Sequence, residues 1–237
     1  MQSIFCGPRG HGCASGEDQP FLATTPRWRW AAALLSAKRG IDIAGAIVLL
    51  VSFLPLLLII AALVRISSPG PVLFRQRRVG KHGRVFCMYK FRTMVANSDA
   101  TIHQTYYRTL MRGHAKPMGG MFKLTHDPRV TSVGLILRRF SLDELPQLLN
   151  VLKGDMSLVG PRPPIPYEAE LYGQRERLRL SVTPGLTGLW QVRGRNTLNF
   201  RQMVDLDIAY IEHWSLWLDL LILLRTPLVV ITGRGTC

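Results

Sequence analysis

The stretch IAGAIVLLVSFLPLLLIIAALV, Ile43 to Val64, decides the fold of this chain. It runs for 22 residues without a charge, long enough for a helix to cover a hydrocarbon core of about 30 Å. A helix so uniformly apolar suits a membrane better than the interior of a small globular domain. Pro55 lies in its middle, where it removes a backbone donor and clashes with the preceding turn, so a break is expected there.

Both flanks are basic. Arg27, Arg29, Lys38 and Arg39 precede the segment, Arg65, Arg75, Arg77, Arg78, Lys81, Arg84, Lys90 and Arg92 follow it, and no acid occurs between Asp42 and Asp99. Basic flanks are retained on the cytoplasmic side, so the simplest arrangement keeps both ends there and turns the segment back at Pro55. Residues 38–66 are therefore expected to form a re-entrant membrane helix, with a single crossing as the alternative. Upstream, Met1 to Pro26 is polar and Gly-rich and lacks the apolar core of a secretory signal, so residues 1–30 read as a disordered tail. Downstream, Trp214 to Ile231 is apolar but interrupted by Asp219, Arg225 and Pro227; it is too broken to span, and fits either an interfacial helix or a core helix.

The whole chain has 237 residues, so one domain over residues 67–237 is expected to follow the membrane segment. Thirty Lys and Arg against fifteen Asp and Glu give a formal charge of +15, which points to anionic partners: nucleic acid, an anionic bilayer or phosphorylated small molecules. Cys6, Cys13, Cys87 and Cys237 form no CxxC pair, so free thiols are expected and neither a zinc site nor a disulfide framework.

Within that domain SSPGP, Ser67 to Pro71, signals a turn, and VLFRQRRVGKHGRVFCMYKFRTM reads as two short strands around Gly80 to Gly83. Ser98 to Met121 is weakly helical in its first half. A turn at Asp127-Pro128 leads to an amphipathic stretch with Leu135, Ile136, Leu137 and Phe140. In SLDELPQLL, Leu145, Leu148, Leu149 and Leu152 share one helical face, and Gly154 offers a stop. Ser141 and Glu144 match a capping box, but Pro146 favours a helix start at Asp143, where its missing N–H costs nothing. A rigid loop is expected over Gly154 to Pro166, a helix over Tyr167 to Arg179, a turn-rich stretch over Val182 to Asn196, and a helical DLDIAYIEHWSLWLDL after it.

The adjacent carboxylates Asp143 and Glu144 stand out against this basic background. Arginine's planar fork meets phosphate oxygens bidentately, and Arg138, Arg162 and Arg195 each lie in a separate Gly-, Pro- or helix-end motif. Paired carboxylates beside phosphate suit Mg²⁺, which takes one or two carboxylates plus substrate oxygens. A carboxylate can also act as a nucleophile and split one displacement into two.

In order along the chain, KRGIDIAG, the proline-broken helix, SSPGPVLFRQRRVG, YKFRTM, DPRVTSVGLILRRFSLDELPQLLNVLKGDMSLVGPRP and TPGLTGLWQVRGRN resemble the monotopic polyprenyl-phosphate phosphoglycosyl transferases, over about Lys38 to Gly233. Among them the chain is most similar to the short exopolysaccharide initiators. The resemblance implies an α+β, helix-dominated fold: a monotopic membrane protein with an N-terminal re-entrant helix, a small basic β-hairpin, amphipathic interfacial helices and a cytoplasmic catalytic domain. It implies transfer of a sugar 1-phosphate, of galactose or glucose, from a UDP-sugar to undecaprenyl phosphate with release of UMP, at the cytoplasmic face of the bacterial inner membrane. Membrane lipid and downstream glycosyltransferases are the further partners, and nucleic acid is not one.

By the same resemblance Asp143 is the nucleophile and Glu144 helps it hold Mg²⁺. Lys90, Arg138, Arg162, Arg195 and Asp207 bind substrate, and Pro55 turns the membrane helix. The family has Ser-Pro at that turn; here Leu54-Pro55 stands in its place, with Ser52 two residues earlier. The competing expectation is a nonenzymatic basic protein anchored in the membrane and binding anionic lipid or nucleic acid, for which Asp143→Asn would be harmless.

Overall fold

The computed structural model describes residues 31–95 and 129–232. The apolar stretch folds as two helices, α1 (Ala31–Ser52) and α2 (Leu54–Ser67), bent by 64° at Phe53. Pro55 occupies the first turn of α2, where a helix leaves its amides unpaired anyway, so the proline opens the second helix and the break falls just ahead of it. Among the described residues no single helix is long and apolar enough to cross a membrane; the bent pair together is. The expected tail, residues 1–30, lies outside the described residues.

Each arm is half core. Ala46, Leu49 and Leu50 of α1 pack into the main apolar cluster, and Ile60 and Val64 of α2 pack into another with Phe91 and Leu137. The opposite faces expose Ile47, Val48 and Val51 on α1 and Leu54, Leu58 and Ile59 on α2.

Polar contacts pin both ends of the pair to the same domain. Lys38 Nζ meets Asp219 Oδ2 at 2.6 Å and the Val159 carbonyl at 3.1 Å. Arg39 donates to the carbonyls of Val151 and Leu152 at 2.6 and 2.9 Å, and Asp42 Oδ1 accepts from Leu158 N and Ser157 Oγ. At the far end Arg92 donates to the Ser68 carbonyl at 2.6 Å. Lys38 and Arg39 are therefore internal ligands of the fold as well as flanking charges.

The hairpin forms as expected: β1 (Leu73–Val79) runs antiparallel to β2 (Val85–Phe91), from Leu73 opposite Phe91 to Val79 opposite Val85. Next described is α3 (Ser132–Arg139), capped by Thr131, whose Oγ1 accepts from Gly134 N. It buries Gly134 and Leu137 and exposes Leu135, Ile136 and Phe140, so most of that apolar set faces outward. The segments Ser98–Met121 and Asp127-Pro128 lie outside the described residues.

The helix start in SLDELPQLL differs from both expectations. Ser141 takes a left-handed conformation, φ 52°, its hydroxyl caps nothing, and Leu142–Gln147 is a 3₁₀ run with Pro146 inside. A proline there denies the chain an α-helical bond, so regular helix begins only at α4 (Leu148–Lys153). The break in periodicity exposes Leu149, while Leu148 is fully buried. Gly154, at φ 89°, ends α4 as expected.

The loop beyond it holds a short strand, β3 (Ser157–Val159), paired in parallel with β4 (Gly185–Thr187). A Cβ on Gly185 would lie 2.0 Å from Gly160 N, so only glycine allows this approach. The helix expected over Tyr167–Arg179 is divided at Gly173 into α5 (Pro166–Glu170) and α6 (Gln174–Arg177), with a 3₁₀ turn after it. Then come α7 (Leu189–Arg193), α8 (Phe200–Glu212) and α9 (Leu216–Thr232). Helix α9 buries Asp219 and Ile222 and exposes Trp217, Leu220, Leu224, Leu228 and Ile231, combining the two roles its sequence left open.

Candidate active site

Four separate elements deliver the predicted charges. Lys90 sits near the end of β2, Arg138 near the end of α3, Asp143 and Glu144 in the 3₁₀ run, and Arg162 in the proline loop after β3. Glu144 Oε1 accepts from Lys90 Nζ at 2.8 Å and from Arg162 Nη1 at 3.1 Å. Burial pushes the Glu144 carboxyl up, but these two cations overcome it and hold it well below the usual carboxylate range. Lys90 is lowered by the same burial, against the pull of Glu144, and Arg162 is raised chiefly by Glu144.

Asp143 behaves in the opposite way. It is 9 % exposed and, among the described residues, accepts no hydrogen bond. Burial raises its carboxyl, and the neighbouring Glu144 adds to the rise, against Lys90, Arg138 and Arg162. One carboxylate is thus held in its charged form while burial and its neighbour push the other toward the neutral form, so adjacent like groups differ in their electrostatics.

Arg138 is oriented by Thr93, whose Oγ1 accepts from its Nε at 3.0 Å. Arg195 feels Glu144 and Arg162 electrostatically, takes a left-handed backbone at φ 47°, and buries Nη1 without a partner. A strained backbone and an orphaned donor near Glu144 and Arg162 suit a group that receives an anion.

Asp207 does not join this group. It is fully buried and paired to Arg179 at 2.8 Å, and burial lifts its carboxyl to about 6 despite that partner. Arg179 Nη1 also reaches Tyr172 Oη at 2.7 Å, and its Nη2 approaches the Arg162 carbonyl at 3.5 Å. Asp207 therefore lies in the interior with Arg179, apart from the cluster around Glu144.

A family model described as "Bacterial sugar transferase" matches residues 33–233. The chain belongs to this family. Its relatives include "Galactosyl transferase CpsE" of Streptococcus agalactiae, 45% identical over 202 residues, "Exopolysaccharide production protein ExoY" of Rhizobium meliloti, 44% over 200, and "Undecaprenyl-phosphate galactose phosphotransferase" of Salmonella typhimurium, 43% over 199. The matches cover 85%, 84% and 84% of this chain respectively. They span 88% of ExoY, but 43% of CpsE and 41% of the Salmonella protein.

In this bacterial sugar transferase several residues that sequence reasoning missed hold the site together. Asn150, fully buried, accepts from Tyr89 N and donates to the Cys87 carbonyl, which ties α4 to the strand carrying Lys90. Arg78 and Arg179 bind the backbone of the loop that carries Arg162. In the sequence these look like ordinary surface residues; only the alternation of β1 hints that Arg78 faces away from Arg75 and Arg77.

The carboxylates fit a hard divalent cation. Glu144 gives only one of its oxygens to Lys90 and Arg162, and Asp143 gives neither oxygen to a described residue. Among the described residues no group of three or more His, Cys, Asp or Glu could hold a metal ion.

Proposed function

We propose that this chain transfers a sugar 1-phosphate from a UDP-sugar to undecaprenyl phosphate, releasing UMP, as the first membrane step of exopolysaccharide synthesis. The observation that carries this is the contrast between Asp143 and Glu144: a buried carboxylate without a hydrogen bond beside one pinned by two cations.

An oxygen of Asp143 attacks the phosphorus that bears the sugar. The bond from that phosphorus to the UMP oxygen breaks, UMP leaves, and a sugar-phosphoryl aspartate remains. An oxygen of undecaprenyl phosphate then attacks the same phosphorus and returns the carboxylate, so each bond formed matches one broken. Lys90, Arg138, Arg162 and Arg195 outnumber the two acids and gather phosphate charge around the reaction. Mg²⁺, held by Asp143 and Glu144, would draw charge from the diphosphate and favour departure of UMP.

A re-entrant anchor is supported by the fold. Lys38 and Arg39 near one end of the helix pair and Ser68 just past the other all bind the same domain, and the exposed apolar faces lie around the bend between them. A chain crossing the bilayer would have to separate those ends. With the exposed stripe of α9, this supports a protein seated on the inner membrane with its site on the cytoplasmic side. Downstream glycosyltransferases are the expected consumers of the lipid-linked product. Relatives named for galactose favour a hexose such as galactose as the donor sugar.

Purified full-length chain, Mg²⁺ and undecaprenyl phosphate incubated with a panel of UDP-sugars should release UMP with one or two donors. Without undecaprenyl phosphate, intact mass measurement should show a sugar-phosphate adduct that Asp143→Asn cannot form. Full activity of that variant would overturn the reading.

A further inference from the structure

The loop Pro161-Arg162-Pro163-Pro164 has three prolines, so its backbone offers a single N–H and its φ angles are largely fixed. What remains are four carbonyls, and each accepts a bond from elsewhere in the chain, two of them from β1. Pro161 accepts from Gly185 N at 2.9 Å, Pro164 from Val79 N at 2.9 Å, Pro163 from Arg78 Nη1 at 2.8 Å, and Arg162 from Arg179 Nη2 at 3.5 Å. The last is at the limit of hydrogen bonding, so two short bonds flank Arg162: a backbone bond from Gly185 on its N-terminal side and, on its C-terminal side, a side-chain bond from Arg78.

Arg78 is 7 % exposed. Its Nε and Nη2 both donate to Gln76 Oε1, at 3.0 and 2.7 Å, and among the described residues it forms no ion pair. A buried cation satisfied only by neutral oxygens gains little stability, because its desolvation offsets what the bonds return. Its geometry, however, is rigid: Gln76 fixes one edge of the guanidinium, and the other edge holds the Pro163 carbonyl.

We propose that Arg78 is a positioning residue that sets the direction of Arg162 through the backbone of the proline loop, and so sets where substrate phosphate is held. This rests on the phosphoryl-transfer function proposed above. Lysine at position 78 would keep the charge but lose the fork, since an ammonium cannot hold Gln76 and Pro163 in one plane.

The test is a double-mutant cycle on the full-length protein. Arg78→Lys should lower kcat for UMP release by roughly tenfold to a hundredfold with donor KM little changed, the effect of misplaced rather than absent binding groups. In an Arg162→Ala background the same change should cost nothing further. Losses that multiply, or an Arg78→Lys enzyme equal to wild type, would overturn the proposal. If Arg78→Lys does not fold, Gln76→Leu leaves Arg78 in place without its guide and carries the same prediction.

Hydrogen exchange gives a readout that does not need activity. The Gly185 and Val79 amides, which donate to Pro161 and Pro164 on either side of Arg162, should exchange faster in the variant while the rest of β1 and β2 keeps its protection; unchanged exchange at both refutes the positioning role by itself. A wild type that releases no UMP from any donor refutes the function instead.

Discussion

Lys90 and Glu144 meet at 2.8 Å, 54 residues apart in the chain, and that contact joins the hairpin to the 3₁₀ run that carries both acids. Arg162 closes on the same oxygen. Glu144→Gln should therefore cut activity by roughly 100-fold and cost about 1–3 kcal/mol of stability by leaving two cations without their counter-charge. The Glu144 carboxyl is depressed in the fold, so its stabilisation is present above the unfolded carboxylate range and is lost only as pH falls through the lower folded value. Melts of wild type and Glu144→Gln should differ by a constant amount over about pH 5 to 8 and converge only in strong acid.

Asp143 has the opposite sign. Its carboxyl is raised in the fold, so ionising it opposes folding once the pH exceeds the folded value. Asp143→Asn should be more stable than wild type at neutral pH, by roughly 1 kcal/mol, and no more stable near pH 3 where both are neutral. Since the nucleophile must be charged, the acid limb of kcat/KM should lie above the value of an ordinary aspartate. An inactive but more stable variant separates a functional acid from a structural one.

Asp207→Asn should do the reverse of Asp143→Asn. It relieves an acid that burial lifts to about 6, but it strands Arg179 in the same buried place. Loss of the pair dominates, and a cost of about 3 kcal/mol is expected in denaturant titrations. Donor binding should weaken less than for Arg162→Ala, because Asp207 is fully buried and paired with Arg179.

Pro55→Ala restores a helical donor at the bend between α1 and α2. If the pair straightens in a fraction of molecules, a lone cysteine kept at Cys13 should become labelled from outside intact cells by a membrane-impermeant maleimide. Wild type should stay unlabelled; outside labelling of wild type contradicts the re-entrant topology.

Much of this site was legible because its parts are local. The apolar run broken by Pro55, the hairpin around Gly80 to Gly83 and the Asp143-Glu144 pair are each short patterns with a physical cause inside them. What escaped depends on distant partners. Asp207 looked like one more charge for substrate, and only its pairing with Arg179, 28 residues away, moves it into the interior. Lys38 and Arg39 looked like topology signals, yet they grip carbonyls more than a hundred residues further on. The capping box in SLDELPQLL satisfied its pattern and still did not form, because a left-handed Ser141 turns its hydroxyl away.

Lys38, Arg39 and Asp42 bind the same β3 and α4 backbone that leads into Arg162, while Ala46 lies wholly inside the core. The bent helix pair is thus a wall of the domain, not a tether to it. Under the proposed topology the height of Asp143 above the bilayer is fixed by the fold and cannot be tuned by a linker. All vertical travel must come from the lipid substrate, whose phosphate has to rise to a site that cannot descend. For the same reason, cutting the chain after Ser67 would not free a soluble enzyme but open its core.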